Sequence, residues 1–439
     1  MIRPRRNPRI VLLALIPVLC LVAVGVYYLP PVHERLAWRV DNLVAEIKYA
    51  INPPEEVVFV PQGQVASTPV GTLNFPTPIP SATPTASPTA TITQPGPTLP
   101  PAPTDPPTPT PTSIPAQVRL VGVRHEYQKW NNCGPATLSM ALSFWGWPGD
   151  QLEAAAFLKP NDRDKNVMPY EMESFVDQLP DLEALVRVGG DLDLLRRLLA
   201  AGFPVVVEKG FEGETFDGWM GHYGLITGYD DAQASFWVFD SYVGPSTDFL
   251  IPYAEVLYHW QAFNDIYLVI YPPEREAEVL AILGPQADEI ENYRYAAQKA
   301  SDEIYTSTGR DQYFAWFNRA TNLVQLQDYA GAADAYDQAF ALYPSIPEEQ
   351  RPWRMFWYQT GPYFAYFYTG RYYDVINLAT TTLTAANEPA LEESFYWRAM
   401  AKLALGDTDG AIADFRTSLE WHPGFEPSTY QLGLLGVTP

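Results

Sequence analysis

The apolar residues of this chain fall into distinct regimes along its length. From Ile10 to Leu29 no charged residue occurs. About twenty helical residues span roughly 30 Å, the thickness of a bilayer's hydrocarbon core, so this run predicts a transmembrane helix. Arginines at 3, 5, 6 and 9 precede it, which predicts a cytoplasmic N-terminus and an extracytoplasmic remainder. Residues 33–51 set Leu36, Val40, Leu43, Val44 and Ile47 on one helical face, as a short amphipathic helix beside the membrane or a solvated spacer would. From Gln62 to Ala116 Pro, Thr and Ser dominate. Such a segment buries too little apolar surface to fold and predicts an extended, partly polyproline stalk. Beyond Val118 helical and strand periods return. Arg119–Val123 alternates as a strand does, and Leu138, Ala141, Leu142 and Trp145 recur at helical spacing. Gly146-Trp147-Pro148-Gly149 stops that helix. Further helices are expected at 150–158, 169–178 and 191–201. Strands are expected at 203–208, 222–229, 235–240 and 265–271, with a Gly- and acid-rich loop at 209–221. Helices first and antiparallel strands afterwards give an α+β domain over 117–273.

From about 287 to 439 the pattern is helical throughout. Trp316, Ala320, Tyr329, Ala332, Tyr336, Ala339 and Pro344 repeat a spacing echoed by Phe395, Ala399, Gly406, Ala411, Phe415 and Pro423. Between them Tyr366, Gly370, Tyr372 and Val375 look like a degenerate copy. This resembles tetratricopeptide repeats over roughly 310–425, in which small residues let paired helices approach and stacked pairs share a core. An ordinary helical bundle is the competing reading. The segments are therefore a tail at 1–9, an anchor at 10–29, a juxtamembrane stretch at 30–61, a linker at 62–116, the α+β domain at 117–273 and the repeats at 287–439.

Composition narrows the function. The 439 residues suffice for two or three domains, and the formal net charge of −23 argues against nucleic acid as a partner. The 2 cysteines, Cys20 and Cys133, lie far apart, and Cys20 falls within the apolar run, so no disulfide framework is expected. With 5 scattered histidines no protein metal site and no cofactor are expected.

The chemistry centres on Gln128-Lys129-Trp130-Asn131-Asn132-Cys133-Gly134-Pro135. Cys133 lies where a loop becomes a helix, at the positive end of the helix dipole, a setting that favours a thiolate nucleophile. A lone cysteine is as readily a buried structural residue. A thiolate needs a base that can protonate a leaving amine, and histidine serves best near neutrality. His33 is beside the membrane, His125 shares the nucleophile's loop, His259 sits in a probable helix and His422 ends a repeat. His222 opens a strand at a sheet rim. With a turn near Ala232, residue 222 faces roughly residue 241, so Asp240 can orient the ring. Asp230 cannot, lying about 26 Å up the strand. Gln128 shares the approach loop, where its amide and the Cys133 N–H can face an oxyanion, or it is a surface glutamine. Trp130, Phe211 and Trp219 either line substrate subsites or pack a core or lid.

Gln128, then Asn132-Cys133-Gly134-Pro135-Ala136, then His222-Tyr223-Gly224-Leu225-Ile226-Thr227-Gly228-Tyr229-Asp230, then Val238-Phe239-Asp240 resemble the papain-like cysteine peptidases of family 39. That family holds the bacteriocin-processing, double-glycine leader peptidases and their stand-alone relatives. The resemblance covers about 120–272. It implies Cys133 as nucleophile, His222 as base, Asp240 as orienting acid and Gln128 as oxyanion donor. The Gln128-to-Cys133 spacing is one residue shorter than in transporter-fused members, and leader cleavage coupled to export is not implied. The expectation is a membrane-anchored, extracytoplasmic cysteine peptidase acting on peptide or protein substrates, with repeats that dock a protein partner. A catalytically inactive peptide-binding protein and a thiol-dependent acyl transferase or amidase are the alternatives on the same fold.

Overall fold

The computed structural model describes residues 59–63, 114–212 and 219–439 apart from 160, 162, 165 and 387, together with 24–29 and isolated positions before residue 48. Among the described residues no helix is long and apolar enough to cross a membrane. The predicted anchor before residue 24, nearly all of the 33–51 helix and the linker from 64 to 113 lie outside them.

The α+β half is one seven-stranded sheet. Its strands are β1 (Gln117–Arg119), β2 (Glu183–Arg187), β3 (Val205–Glu212), β4 (Trp219–Asp230), β5 (Ser235–Asp240), β6 (Phe249–Pro252) and β7 (Tyr267–Tyr271). The order is β2-β7-β3-β4-β5-β6, with β1 added to β4, and all the pairings are antiparallel. Strand periodicity explains why both faces are apolar. Val206 points to one side with Leu225, Leu268 and Ile270, and there α1 (Cys133–Phe144) packs through Leu138 and Leu142. Val205 and Val207 point to the other side with Ile226, Val238 and Val269. That side is covered by α4 (Leu192–Ala200), α5 (Tyr253–Trp260) and α6 (Glu276–Leu283). On α4, Asp191 Oδ1 accepts from Leu194 N at 2.7 Å, and Leu194, Leu195, Leu198 and Leu199 face the sheet. Val279 and Leu283 of α6 join the same core, so it extends past residue 273. The helices α2 (Gln151–Leu158) and α3 (Pro169–Val176) complete the α1 side.

The expected loop at 209–221 is mostly strand. β3 runs on to Glu212 and β4 begins at Trp219, with Gly210 opposite Gly221. These glycines are there for space. A Cβ on Gly210 would lie 2.5 Å from Trp219 Nε1, and one on Gly221 would lie 2.7 Å from Phe263 and 3.0 Å from Tyr358. The β4–β5 ladder contains a bulge between Ile226 and Gly228, below which Gly224 lies opposite Asp240.

The helical half begins with α7 (Glu289–Thr306). Three helix–turn–helix pairs follow: α8 (Gly309–Gln325) with α9 (Tyr329–Leu342), α10 (Gly361–Tyr368) with α11 (Tyr372–Ala385), and α12 (Glu392–Ala404) with α13 (Thr408–Trp421). The last helix is α14 (Glu426–Leu434). The small residues expected at helix crossings, Ala320, Ala332, Ala339, Ala399 and Ala411, are fully buried. The two halves share a core. Trp219 stacks on Phe263 with ring centroids 5.6 Å apart and packs on Phe314 and Tyr358. Asn264 and Asn322 exchange amide hydrogen bonds of 2.8 and 3.0 Å, and Lys299 Nζ bonds Asp265 Oδ2 at 2.6 Å. A second meeting point joins α12 to the segment before α3. There burial first, and Glu392 beside it, raise Asp164 to about 8.

Candidate active site

The loop from 124 to 132 is pinned from below. Glu126 Oε1 accepts from Ser139 Oγ at 2.5 Å, and its Oε2 accepts from Gln151 N at 3.0 Å. Gln151 in turn accepts from Lys129 N at 2.7 Å and donates to Tyr127 O at 2.7 Å. Asn131 has φ +53°, and Lys159 Nζ holds Asn131 O at 3.0 Å and Asn132 Oδ1 at 3.1 Å. Lys159 thus engages the Asn132 side chain, which makes no capping bond to α1. Cys133 opens α1 and is half-buried.

β4 supplies His222 and β5 supplies Asp240, two residues off the directly facing pair and on the same face of the ladder. His222 Nε2 bonds Asp240 Oδ1 at 3.0 Å. The same oxygen accepts from Tyr242 N at 2.8 Å and Val243 N at 3.0 Å, and Lys209 Nζ lies 3.5 Å from Oδ2. The carboxylate is therefore fixed before the ring leans on it. Cys133 lies on the ring's other side, near enough for its side chain to act on the imidazole. With Nε2 committed to Asp240, Nδ1 is the nitrogen left for sulfur. Burial pushes His222 down, but the Asp240 charge, the bond to it and the Cys133 side chain outweigh burial and hold the ring at about 9. Burial would raise Asp240, yet His222 and then Lys209 keep it well below the usual carboxylate range.

Gln128 stands against the end of β5. Its N–H donates to Ser241 O at 2.9 Å, and Ser241 Oγ donates to its Oε1 at 2.9 Å. With the amide oxygen held, the Nε2 hydrogens are the donors offered to a ligand. Replacing Gln128 with alanine is expected to lower kcat about a hundredfold with little change in KM, read from steady-state cleavage of one peptide. A change in KM alone would make Gln128 a substrate contact and nothing more.

The three aromatic residues part company. Trp130 is 39% exposed on the approach loop. Phe211 packs on His222 and Tyr242, with centroids 5.7 and 6.2 Å away, and borders the ring. Trp219, offered as a cleft-lining residue, is fully buried in the core shared by the two halves and cannot meet a substrate. His125, set aside in the sequence, bonds Asp240 O at 2.9 Å. Asp230 turns the far end of the hairpin, accepting from Ala232 N and Gln233 N. Lys209, Ser241 and Glu208 have no counterpart in the sequence reading. Glu208 is buried near Cys133, and burial first and Cys133 second push its carboxyl well above the usual range. The β3 register, which sets Lys209 opposite His222, was the signal that could have found Lys209.

Residues 120–270 match the Peptidase C39 like family, and residues 313–346 and 392–425 each match a tetratricopeptide repeat. No curated protein matches the chain. Among solved structures it is similar to one described as a C39-like peptidase from Bacillus anthracis, at 17% identity over 35% of this chain and 97% of that one, with a TM-score of 0.28. It is also similar to a double glycine motif protease from an AMS/PCAT transporter in complex with the leader peptide, at 18% identity over 35% of this chain and 94% of that one, with a TM-score of 0.27.

Proposed function

We propose that this chain, a C39-like peptidase domain followed by tetratricopeptide repeats, is a membrane-anchored extracytoplasmic cysteine peptidase with Cys133, His222, Asp240 and Gln128 as its machinery. The observation that carries the reading is one buried imidazole bonded to a fixed carboxylate and set beside the only described cysteine. The charge-free run from Ile10 to Leu29 behind its arginines supports the anchor, and the repeats support a protein partner.

The chemistry follows from the placement. Sulfur attacks the scissile carbonyl after its proton passes to His222. The oxyanion forms between Gln128 Nε2 and the Cys133 N–H. His222 then gives its proton to the departing amine, leaving a thioester on Cys133. Water, deprotonated by His222, releases the acid and restores the thiol. Asp240 keeps the ring oriented and its positive form stable.

The positive ring is needed to protonate the amine, and it persists up to about pH 9. The alkaline limb of kcat/KM is therefore expected near pH 9. Asp240→Asn removes the charge that raises the ring, so the limb should move to lower pH. The same pairing stabilises the fold: its contribution is complete below the ordinary histidine range and is lost as pH rises through about 9. The test is a peptide library read by mass spectrometry across pH, with and without an amine acceptor. New termini formed by the wild type and absent with Cys133→Ala support the peptidase. Aminolysed products alone would make it a transferase, and termini formed equally by Cys133→Ala would remove Cys133 from the chemistry.

A further inference from the structure

Far from the catalytic groups, a short segment from before the Pro-rich linker lies on the helical repeats. Phe59 is only 6% exposed. Its ring meets Phe340 edge-on at 4.9 Å and lies 6.2 Å from Tyr366. It belongs to the apolar core of the repeats and, with Tyr343, Trp353, Phe356 and Trp357, lines a pocket there. Three residues on, Gln62 N donates to Asp374 Oδ1 at 2.7 Å and Gly63 N donates to Asp374 Oδ2 at 3.0 Å. Asp374 is fully buried, and Arg371 Nε holds its Oδ2 at 2.8 Å. Arg371 is itself clamped on Asp337 at 2.8 and 3.0 Å. The repeats thus present an apolar socket and, next to it, an oriented carboxylate aimed at two successive backbone N–H groups. Gly63 has φ +67°, a conformation that favours glycine at the end of the contact.

We propose that residues 59–63 are a built-in ligand of the repeat groove, docked in cis. A side chain anchored in an aromatic pocket, followed by paired backbone N–H groups on a carboxylate, is how a groove selects an extended peptide. Within this contact Gln62 N is the donor to Asp374 Oδ1. The tether favours the chain's own copy. The Pro/Thr/Ser-rich stretch from 64 to 113 joins the docked segment to the folded α+β half. About fifty residues of Pro-rich chain reach at most about 150 Å at about 3.1 Å per residue, long enough to join the two ends and to make the docking intramolecular. A partner for the repeats must therefore present the same chemistry, an aromatic anchor and free N–H groups, and compete with that tether.

On this proposal the two ends of the linker, expected as a stalk, lie on one folded body. On the anchored reading above, residues 30–58 rather than the Pro-rich stretch then set the distance to the membrane. The docking itself does not depend on that reading.

The test is amide hydrogen exchange on the full-length chain in detergent, comparing wild type with Phe59→Ala. Phe59 lies outside the repeats, so retained protection of α9 and α11 shows that the variant is folded. The amides of Gln62 and Gly63 are expected to exchange at least tenfold more slowly than those of the linker, and to lose that protection in Phe59→Ala. Exchange as fast as the linker in the wild type overturns the proposal, as does protection that survives the substitution. Protection that fades on dilution identifies a second copy as the occupant and overturns docking in cis. Cleavage activity plays no part in this readout, so its failure and that of the peptidase reading are separable.

Discussion

His222→Ala is expected to lower kcat/KM for peptide cleavage by about four orders of magnitude and to slow alkylation of Cys133 at neutral pH by about tenfold or more. On the proposed mechanism the ring, bonded to Asp240 and set beside Cys133, moves the proton in each half of the reaction. The fold should survive its loss. Asp240 keeps the Tyr242 and Val243 N–H groups on Oδ1 and Lys209 within 3.5 Å of Oδ2, so no bare charge is left buried. Rates of cleavage and of iodoacetamide labelling, measured on the same preparation, separate two outcomes. If labelling at pH 7 is the same with and without the imidazole, Cys133 is an ordinary thiol and the chain is a binding module on a peptidase fold.

Trp219→Ala should cost about 3–5 kcal/mol of stability, measured by urea denaturation. The indole is fully buried, stacked on Phe263 and in contact with Phe314 and Tyr358. Its carbonyl also accepts from Arg354 Nη1 at 3.2 Å, so the helical half grips the strand that carries His222 three residues on. Activity should fall with stability, because the packing that seats β4 also seats the ring. A loss of less than about 1 kcal/mol would mean that the two halves touch without sharing a core.

Much of the catalytic half was legible because its signals are local. Strand β5 was expected at 235–240 and is found there. Helix α4 was expected over 191–201 and spans Leu192–Ala200, because Asp191 caps it and Gly202, with φ +90°, ends it. The pairing of Asp240 rather than Asp230 with His222 came from counting along a hairpin, and the count was accurate to about a residue. The failures are tertiary. Gly210 and Gly221 read as turn residues, yet they make room for rings that come from Trp219 itself and from Phe263 and Tyr358. No local pattern announces that, so 209–221 was taken for a loop and Trp219 for a substrate contact. Strands β2 and β6 were missed because they are short and only partly apolar. Phe59 was invisible for the same reason as Trp219: its pocket is built by helices some 280 residues or more further along the chain.

The bulge between Ile226 and Gly228 has a consequence for how this hairpin can change over time. A ladder has a phase of two, much as a reading frame has a phase of three. Were the register above the bulge to continue unbroken, Asp240 would face Leu225 and the imidazole would point through the opposite side of the sheet. The odd residue restores the phase. Single insertions between the bulge and His222 should therefore be purged from any lineage that keeps the chemistry. Changes at the tip beyond Asp230 alter neither strand's phase and should drift freely in length.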